Sequence, residues 1–171
     1  PHFSVKLEEA AGSASIFVYE GEGLVAHSVL PATFRSAPGS LPTLVVTDGD
    51  STLIQQEVID ELAAVAGVGT EVSAITEAAM AGGLDFSSSL HERVALLEGL
   101  PVSAFDEVRS HLTLMPGARE LIEWVHARGA KFGVVSGGFT GVLQPLVEEL
   151  GIDFVLANDL GVEDGLLTGK V

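Results

Sequence analysis

The sequence predicts an α/β fold in which a parallel sheet is interrupted by a block of helices after its first strand. Three observations lead to this class. Residues 43–47 form a short apolar run that is typical of a buried strand. About 60 residues with helical spacing follow, a length that suits a small helical bundle. After Pro116 helix and strand patterns alternate, which implies right-handed crossovers between parallel strands.

The segment before residue 41 differs from the rest of the chain. Its apolar runs 15–19 and 24–26 flank a Glu-Gly-Glu-Gly stretch and predict a hairpin. Residues 31–40 are rich in proline, glycine and serine and predict a loop or linker. No residue of this segment suggests chemistry. We therefore expect residues 1–40 to be an accessory hairpin and linker, or the remnant of a larger accessory domain.

The helical block contains four predicted helices. The first has an apolar face at helical spacing, made of Val58, Ile59, Leu62 and Val65. Thr70 is expected to cap the second helix and Asp85 the third, because both residue types accept hydrogen bonds from helix amides. The fourth helix, 103–112, begins with Ser103 and has Asp106 three residues later. This resembles a capping box with aspartate in place of glutamate.

The remaining chain reads as helix, strand, helix, strand and hairpin. We predict helices at 118–128 and 140–150, strands at 131–135 and 153–157, and a hairpin with an Asp-Gly turn at 162–167. We expect the strands at 131–135 and 153–157 to form one parallel sheet with the first strand at 43–47.

The composition limits the function. The 171 residues include 24 acidic and 8 basic ones, and the formal charge of −16 repels phosphate backbones, so we expect no nucleic-acid partner. There is no cysteine, which excludes disulfides and thiolate metal sites. No apolar run reaches the length of a membrane span and no signal-peptide pattern is present. We therefore expect a cytoplasmic protein without a membrane partner.

Polar residues follow two predicted strands at their carboxyl ends, where ligands bind in parallel α/β sheets. Asp48 and Asp50 follow the first strand, and Ser136 follows the next. Asp, Gly and Ser also make ordinary turns, so a purely structural reading is available. As a set, however, they suit phosphoryl transfer: one carboxylate attacks phosphorus, the second moves a proton, and a hydroxyl binds phosphoryl oxygens. A hard cation such as Mg²⁺ would offset the repulsion between anions.

Both polar stretches resemble motifs of a known superfamily. Residues 48–52 (Asp-Gly-Asp-Ser-Thr) resemble motif I of the haloacid dehalogenase (HAD) superfamily, and residues 134–139 (Val-Val-Ser-Gly-Gly-Phe) resemble motif II. Three further stretches are similar to bacterial phosphoserine phosphatases, a family of that superfamily: 50–63, 93–100 and 157–169. The resemblance covers residues 44–171.

The resemblance implies a fold and an activity. The fold would be a partial HAD-type, Rossmann-like parallel sheet with a helical-bundle cap inserted after the first core strand. Residues 41–54 and 113–171 would form the incomplete core, and 55–112 the cap. The activity would be Mg²⁺-dependent hydrolysis of L-phosphoserine to L-serine and phosphate through an aspartyl-phosphate, the final step of serine biosynthesis.

The resemblance also assigns roles to individual residues. Asp48 would be the nucleophile and a Mg²⁺ ligand. Asp50 would be the general acid/base and would offer its backbone carbonyl to the metal. Ser136 and Gly137 would hold the transferring phosphoryl group.

Four further residues match positions that contact the substrate in the family. Glu57 would meet its ammonium group, Arg93 its carboxylate, and Met80 and Phe86 would close over it. Each has a plain alternative. Glu57 could be an ordinary acid in the first turn of a helix, and Arg93 a solvated surface charge. No acid lies at helical spacing from Arg93, which favours a ligand role. Met80 and Phe86 could equally be core residues.

The sequence departs from the family pattern in two ways. It lacks the phosphate-binding lysine and the acidic pair that follow in family members, and Lys170 comes too early to be that lysine. We therefore expect a fragment that is nearly inactive alone; an exposed first strand would leave a homodimer open as an alternative. Gly49 replaces a side chain that is usual between the two aspartates, which loosens the backbone by up to about 1 kcal/mol.

Two alternatives to a phosphoserine phosphatase remain open at this stage. A related HAD phosphatase could act on another small phosphorylated amino acid. A non-catalytic regulatory module could use residues 1–40 as its sensing part. A response-regulator receiver also has an acidic cluster, but the long helical insertion after the first strand is unlike that class.

Overall fold

The computed structural model describes residues 3–10, 13–20, 23–31, 44–83 and 85–171. The chain divides into two compact units, Pro1–Thr43 and Leu44–Val171.

The first unit is a three-stranded antiparallel sheet. Its strands, β1 (Phe3–Ala10), β2 (Ser13–Glu20) and β3 (Gly23–Pro31), lie in the order β1-β2-β3. Glu20 pairs with Gly23 across the β2–β3 turn, as the predicted hairpin requires. Strand β1 was not predicted, although its alternation of apolar and polar residues is a strand signal. Of the linker predicted at 31–40, Pro31 is instead the last residue of β3, and residues 32–40 lie outside the described part of the chain.

The second unit contains a parallel sheet of three strands, which confirms the predicted fold class. The strands are β4 (Leu44–Thr47), β5 (Lys131–Phe139) and β6 (Phe154–Asn158), in the order β4-β5-β6. Val46 pairs with Gly133, and Val134 with Val155. Because β5 neighbours both other strands, the carboxyl ends of β4 and β5 meet at one edge of the sheet.

Four helices follow β4 and form the helical block, as the spacing predicts. They are α1 (Val58–Ala66), α2 (Gly69–Met80), α3 (Phe86–Ala95) and α4 (Ala104–His111). The apolar face of α1 is largely as predicted, since Val58, Ile59 and Leu62 are buried. Two further helices flank the sheet strands in sequence, α5 (Ala118–His126) and α6 (Thr140–Glu149).

The predicted helix caps have mixed outcomes. Asp85 caps α3 through a 2.9 Å hydrogen bond from the Ser88 N–H, as predicted. The predicted cap by Thr70 is wrong, because α2 begins at Gly69 and Thr70 lies inside its first turn. The capping box at Ser103 is also wrong. Ser103 precedes α4, but its side chain makes no cap hydrogen bond, and the Asp106 carboxylate pairs with Arg109 instead.

The predicted hairpin is formed by β7 (Val162–Glu163) and β8 (Leu166–Leu167). Its turn residues, Asp164 and Gly165, both have positive φ angles, 50° and 78°, which two-residue hairpin turns of the primed types require. The hairpin also bonds to the loop between α3 and α4: the Gly99 N–H donates to the Leu167 carbonyl at 2.9 Å. The hairpin, which follows β6 in the chain, is thereby hydrogen-bonded to the helical block.

The apolar side chains of the second unit form two buried clusters. One joins the helical block to α6 and contains Ile54, Leu62, Leu97, Phe139 and Leu143 among its buried members. The other packs around the sheet and α5 and includes Phe132, Val134 and Ile122. Among the described residues, no helix is both long and apolar enough to span a membrane.

Candidate active site

The loop after β4 places two carboxylates at the carboxyl end of the strand. The chain turns sharply there, because the Gly49 carbonyl accepts hydrogen bonds from the Leu53 and Ile54 N–H groups at 2.8 and 3.1 Å. Asp48 precedes this turn with an exposed side chain, and its Oδ1 accepts the Gly49 N–H at 2.6 Å. The turn therefore holds Asp48 at the surface of the sheet edge, where a ligand can reach it.

Asp50 is the more buried of the two aspartates. Its Oδ1 accepts the Val58 N–H at the start of α1, at 3.3 Å. Burial raises the pKa of Asp50 to about 7, with a further contribution from the negative charge of Glu57, while the Val58 hydrogen bond opposes the rise. Burial also raises the pKa of Asp48, against the hydrogen bond from Gly49. A carboxyl with a pKa near neutrality is suited to both giving and taking a proton.

The register of β5 against β6 shifts between Val135 and Phe139, so Ser136–Gly138 is an irregular segment within the strand, called the β5 loop, and it lies against Asp50. A Cβ placed on Gly138 would lie 3.0 Å from Asp50 Oδ2 and 3.1 Å from Ser136 Oγ, so both polar groups lie against the same point of the backbone. Ser136 Oγ accepts the Gly138 N–H at 2.9 Å. The structure therefore brings Asp50 together with Ser136, as the strand ends predict.

Asn158 supports this loop, a contribution that the sequence analysis missed. Its Nδ2 donates to the Gly137 carbonyl at 2.9 Å and lies 3.4 Å from the Gly138 carbonyl. Asn158 ends β6, next to the end of β5. The sequence did contain a signal for this role, because Asn158 is a polar residue at the carboxyl end of a third parallel strand.

The two apolar residues predicted to cover the substrate lie in different environments. Phe86 begins α3, and its Cζ would lie 3.4 Å from a Cβ placed on Gly137, so the helical block reaches the β5 loop here. Met80 ends α2 and is 85% exposed. The alternative that Met80 is a core residue is therefore wrong.

Glu57 lies between Asp50 and Asp60 in the sequence. It is the residue before α1 and makes no side-chain cap hydrogen bond, so it lies just outside the first turn in which the alternative reading places it. Its Oε1 accepts the Ser51 hydroxyl at 2.6 Å. Its charge raises the pKa of both Asp48 and Asp50, which places its carboxylate within electrostatic range of them.

Arg93 is half-buried on α3, where its Nε donates to the Ser89 carbonyl at 3.2 Å. Burial and the charge of Glu57 raise the pKa of Asp60, and the charge of Arg93 opposes that rise. The absence of an acid at helical spacing from Arg93 took account only of its own helix. Asp60 on α1 is an acid within electrostatic range of Arg93, so the expectation that no acid is near is corrected.

Fold and site together define an α/β protein with a helical block after its first parallel strand and an acidic loop at the carboxyl end of that strand. A family model described as haloacid dehalogenase-like hydrolase matches residues 45–171. The chain belongs to this family.

Curated relatives match the same part of the chain. Phosphoserine phosphatase SerB2 of Mycobacterium tuberculosis is 55% identical over 128 residues, which are 75% of this chain and 31% of the relative. Phosphoserine phosphatase of Streptococcus thermophilus is 56% identical over 128 residues, again 75% of this chain and 60% of the relative. The chain thus spans between 31% and 60% of the length of these proteins.

Solved structures of phosphoserine phosphatases are also similar to this chain. A phospho-aspartyl intermediate analogue of phosphoserine phosphatase superposes with a TM-score of 0.70 at 44% identity, covering 77% of this chain and 63% of that one. A substrate-bound phosphoserine phosphatase complex gives a TM-score of 0.71 at 43% identity, covering 77% and 62%.

Proposed function

We propose that this chain carries the nucleophile and the proton-transfer group of a Mg²⁺-dependent phosphomonoester hydrolase, with L-phosphoserine as substrate. One observation carries the proposal. Asp50, with a pKa of about 7, lies against the Ser136–Gly138 loop while Asp48, two residues away, remains exposed. The names of the relatives and of the superposed structures support phosphoserine as the substrate.

The chemistry takes two steps. In the first, an Asp48 carboxylate oxygen attacks phosphorus, the bond from phosphorus to the serine oxygen breaks, and Asp50 gives its proton to the leaving oxygen. In the second, Asp50 takes a proton from water, the hydroxide oxygen attacks phosphorus, and the Asp48 carboxylate is released. The raised pKa of Asp50 keeps both protonation states accessible near neutral pH.

The oxygen atoms of the site fit a hard cation. Burial, and after it the negative charge of Glu57, raises the pKa of Asp48 and of Asp50, and a divalent cation beside the two aspartates would offset that repulsion. Among the described residues no group of three or more acids and histidines could hold a metal ion, so the cation would depend on few protein ligands. Mg²⁺ typically takes one or two protein carboxylates and completes its shell with water and phosphate. We assign the Asp48 carboxylate and the Asp50 backbone carbonyl to it. The cation would neutralise charge on the phosphoryl group.

The substrate's amino-acid part would lie under the helical block, which we assign as a cap over residues 55–112. Glu57 would bind the ammonium group and Arg93 the carboxylate, with Phe86 and Met80 as the apolar cover. Ser136 and Gly137 would hold the phosphoryl group. The position of Phe86 against Gly137 supports this arrangement. We further propose a cytoplasmic enzyme of serine biosynthesis.

Phosphate release from L-phosphoserine with Mg²⁺ tests the activity. It should be measured on this chain and on one extended to the length of the relatives, with Asp48→Asn in both. We expect the extended chain to turn over, this chain to be nearly inactive, and Asp48→Asn to abolish release. An extended chain that releases no phosphate, or whose activity survives Asp48→Asn, would overturn the proposal.

Substrate recognition needs a separate test in the extended chain. Glu57→Gln and Arg93→Gln should each raise KM for phosphoserine far more than KM for an aryl phosphate, which lacks the charged groups that they bind. Glu92→Gln, an exposed acid beside Arg93, is the matched control and should change neither. Equal changes for both substrates would count against recognition of an amino acid.

A ligand-binding test distinguishes an enzyme from a regulatory module. Beryllofluoride with Mg²⁺ mimics a phosphoryl group, and a working site gains stability by mass action when it binds. We expect a rise in Tm that Asp48→Asn removes. A rise that survives this substitution would show that the ligand binds elsewhere.

A further inference from the structure

The Ser89 hydroxyl is buried on α3 without a hydrogen-bond partner. Ser89 is 2% exposed, and it is the one buried residue with a polar side chain in the part of the chain that the structure describes. Its Oγ makes no hydrogen bond to any described residue. Burying a hydroxyl in this way costs free energy, because the group gives up its hydrogen bonds to water. Such a group in a native fold therefore needs an explanation.

Two other hydroxyls on the helices bond within their own helix. Thr76 Oγ1 donates to the Val72 carbonyl at 3.1 Å. Ser110 Oγ donates to the Glu107 carbonyl at 2.7 Å. A bond to a carbonyl about one turn earlier is a common outcome for a hydroxyl on a helix. The Ser89 hydroxyl does not make this bond, so its proton is available to another acceptor.

The position of Ser89 on α3 places it beside the residues that we assign to substrate binding. Phe86, Ser89 and Arg93 follow one another at i, i+3 and i+7, so they lie on one face of the helix. Phe86 reaches the β5 loop, where its Cζ lies 3.4 Å from a Cβ placed on Gly137. Ser89 therefore lies between the residue that contacts this loop and the residue assigned to the substrate carboxylate.

The contact between Ser89 and Arg93 brings donors of both residues together. The Ser89 carbonyl accepts the Arg93 Nε–H at 3.2 Å, which holds the guanidinium beside Ser89. A guanidinium has four further N–H groups at its end, and a serine hydroxyl has one proton to donate. A carboxylate has about four lone-pair sites, so it can accept from a guanidinium and a hydroxyl at the same time.

We propose that the Ser89 hydroxyl donates a hydrogen bond to the α-carboxylate of the substrate, next to Arg93. The inference rests on the proposed function for the class of substrate. A substrate enclosed under the helical block would share the buried surroundings of Ser89, where a hydrogen bond to a charged group is strong. A phosphate ester without a carboxylate would leave the buried hydroxyl unpaired. Ser89 thereby favours an amino acid over such an ester.

Two ligands that differ only in the carboxylate test this role. O-Phosphoethanolamine has the phosphate and ammonium groups of L-phosphoserine but lacks its carboxylate. Binding of both is measured by titration calorimetry with Mg²⁺, in the chain extended to the length of the relatives and with Asp48→Asn throughout to prevent turnover. Ser89→Ala should raise the Kd for phosphoserine about tenfold, as expected for a lost hydrogen bond to a charged group. The Kd for phosphoethanolamine should stay within twofold.

Ser87→Ala is the matched control, because Ser87 lies on the same helix with an exposed side chain. It should change neither Kd by more than twofold. The unliganded Tm of Ser89→Ala should not fall, because the hydroxyl has no partner to lose. A fall of several degrees would mean that the hydroxyl is bonded within the fold, and it would overturn the proposal.

The binding results have opposite meanings for Ser89. Unchanged phosphoserine binding in Ser89→Ala, or equal weakening of both ligands, would overturn the proposal, and equal weakening would show that Ser89 serves the packing of α3. A chain that binds phosphoserine through Ser89 but releases no phosphate when Asp48 is restored refutes the proposed function alone. A chain that hydrolyses an aryl phosphate but binds phosphoserine no better than phosphoethanolamine overturns the role of Ser89 and leaves the hydrolase chemistry standing.

Discussion

Replacing Asp50 with asparagine should stabilise the metal-free protein at pH 8 by about 4 kcal/mol. Burial and the charge of Glu57 raise the pKa of this carboxyl from 3.8 to about 7. Each pKa unit corresponds to about 1.4 kcal/mol, so holding the ionised carboxylate in the folded state costs about 4 kcal/mol. Asparagine removes the charge but keeps an oxygen that can accept the Val58 N–H.

The pH dependence follows from the direction of the pKa shift. The unfolded chain ionises Asp50 near pH 4 and the folded chain near pH 7, so the folded state binds the extra proton in between. The contribution of Asp50 to the free energy of unfolding is therefore complete below about pH 4 and falls by about 1.4 kcal/mol per pH unit up to pH 7. The advantage of Asp50→Asn should grow from about 1.5 kcal/mol at pH 5 to its full value at pH 8.

Urea unfolding in EDTA at pH 5, 6, 7 and 8 measures this difference, with the fluorescence of Trp124 as the signal. Asp164→Asn is the matched control, because its side chain is exposed in the hairpin turn and asparagine suits a positive φ. That variant should give a small, pH-independent difference. If Asp50→Asn gains no stability between pH 5 and pH 8, burial does not hold the proton on Asp50.

Three further substitutions have defined outcomes. Asn158→Ala should lower the free energy of unfolding by about 1 kcal/mol and speed amide exchange in the Gly137 loop, because a carbonyl loses its donor; unchanged exchange would contradict this. Burial opposes ionisation of Asp153, but hydrogen bonds, first that from Lys131 Nζ at 2.5 Å, hold its pKa below the ordinary value. Asp153→Ala should therefore cost about 2 kcal/mol by urea unfolding at pH 7, with the cost shrinking as pH falls below 4; a cost independent of pH would refute the charge-based reason. Ser89 is buried and its hydroxyl has no hydrogen-bond partner within the described part of the chain, so Ser89→Ala should be neutral or raise Tm slightly; a large loss would reveal a partner.

Local patterns predicted the elements well where one residue type decides the outcome. Asp85 caps α3 because its short carboxylate reaches an amide three residues later, a contact that depends on adjacent sequence only. The Asp-Gly turn of the hairpin could be predicted for the same reason, because its positive φ angles depend on the two turn residues themselves. The capping box predicted at Ser103 also depended on adjacent residues, but it does not form. The Asp106 carboxylate that it needs pairs with Arg109 instead.

Contacts between distant segments could not be predicted in this way. The strand β5 was expected to end at 135 but continues to Phe139, because the backbone there pairs with Asn158 of the neighbouring strand. Helical spacing around Arg93 showed no acid, yet Asp60 approaches from another helix. The position of Asp50 and Ser136 at strand ends predicted that they would meet, but not that burial would move the pKa of Asp50 so far.

The bonds between the β7–β8 hairpin and the α3–α4 loop have a consequence for the order of folding. The Leu167 N–H donates to the Leu100 carbonyl, and the Val102 N–H to the Gly165 carbonyl, so the hairpin completes the hydrogen bonds of a loop made much earlier in the chain. During synthesis the helices can form from local contacts, but this loop must wait until β6 and the hairpin have left the ribosome. Closing such a long stretch of chain is slow compared with forming a helix. The helical block should therefore reach its final packing late, and together with the sheet.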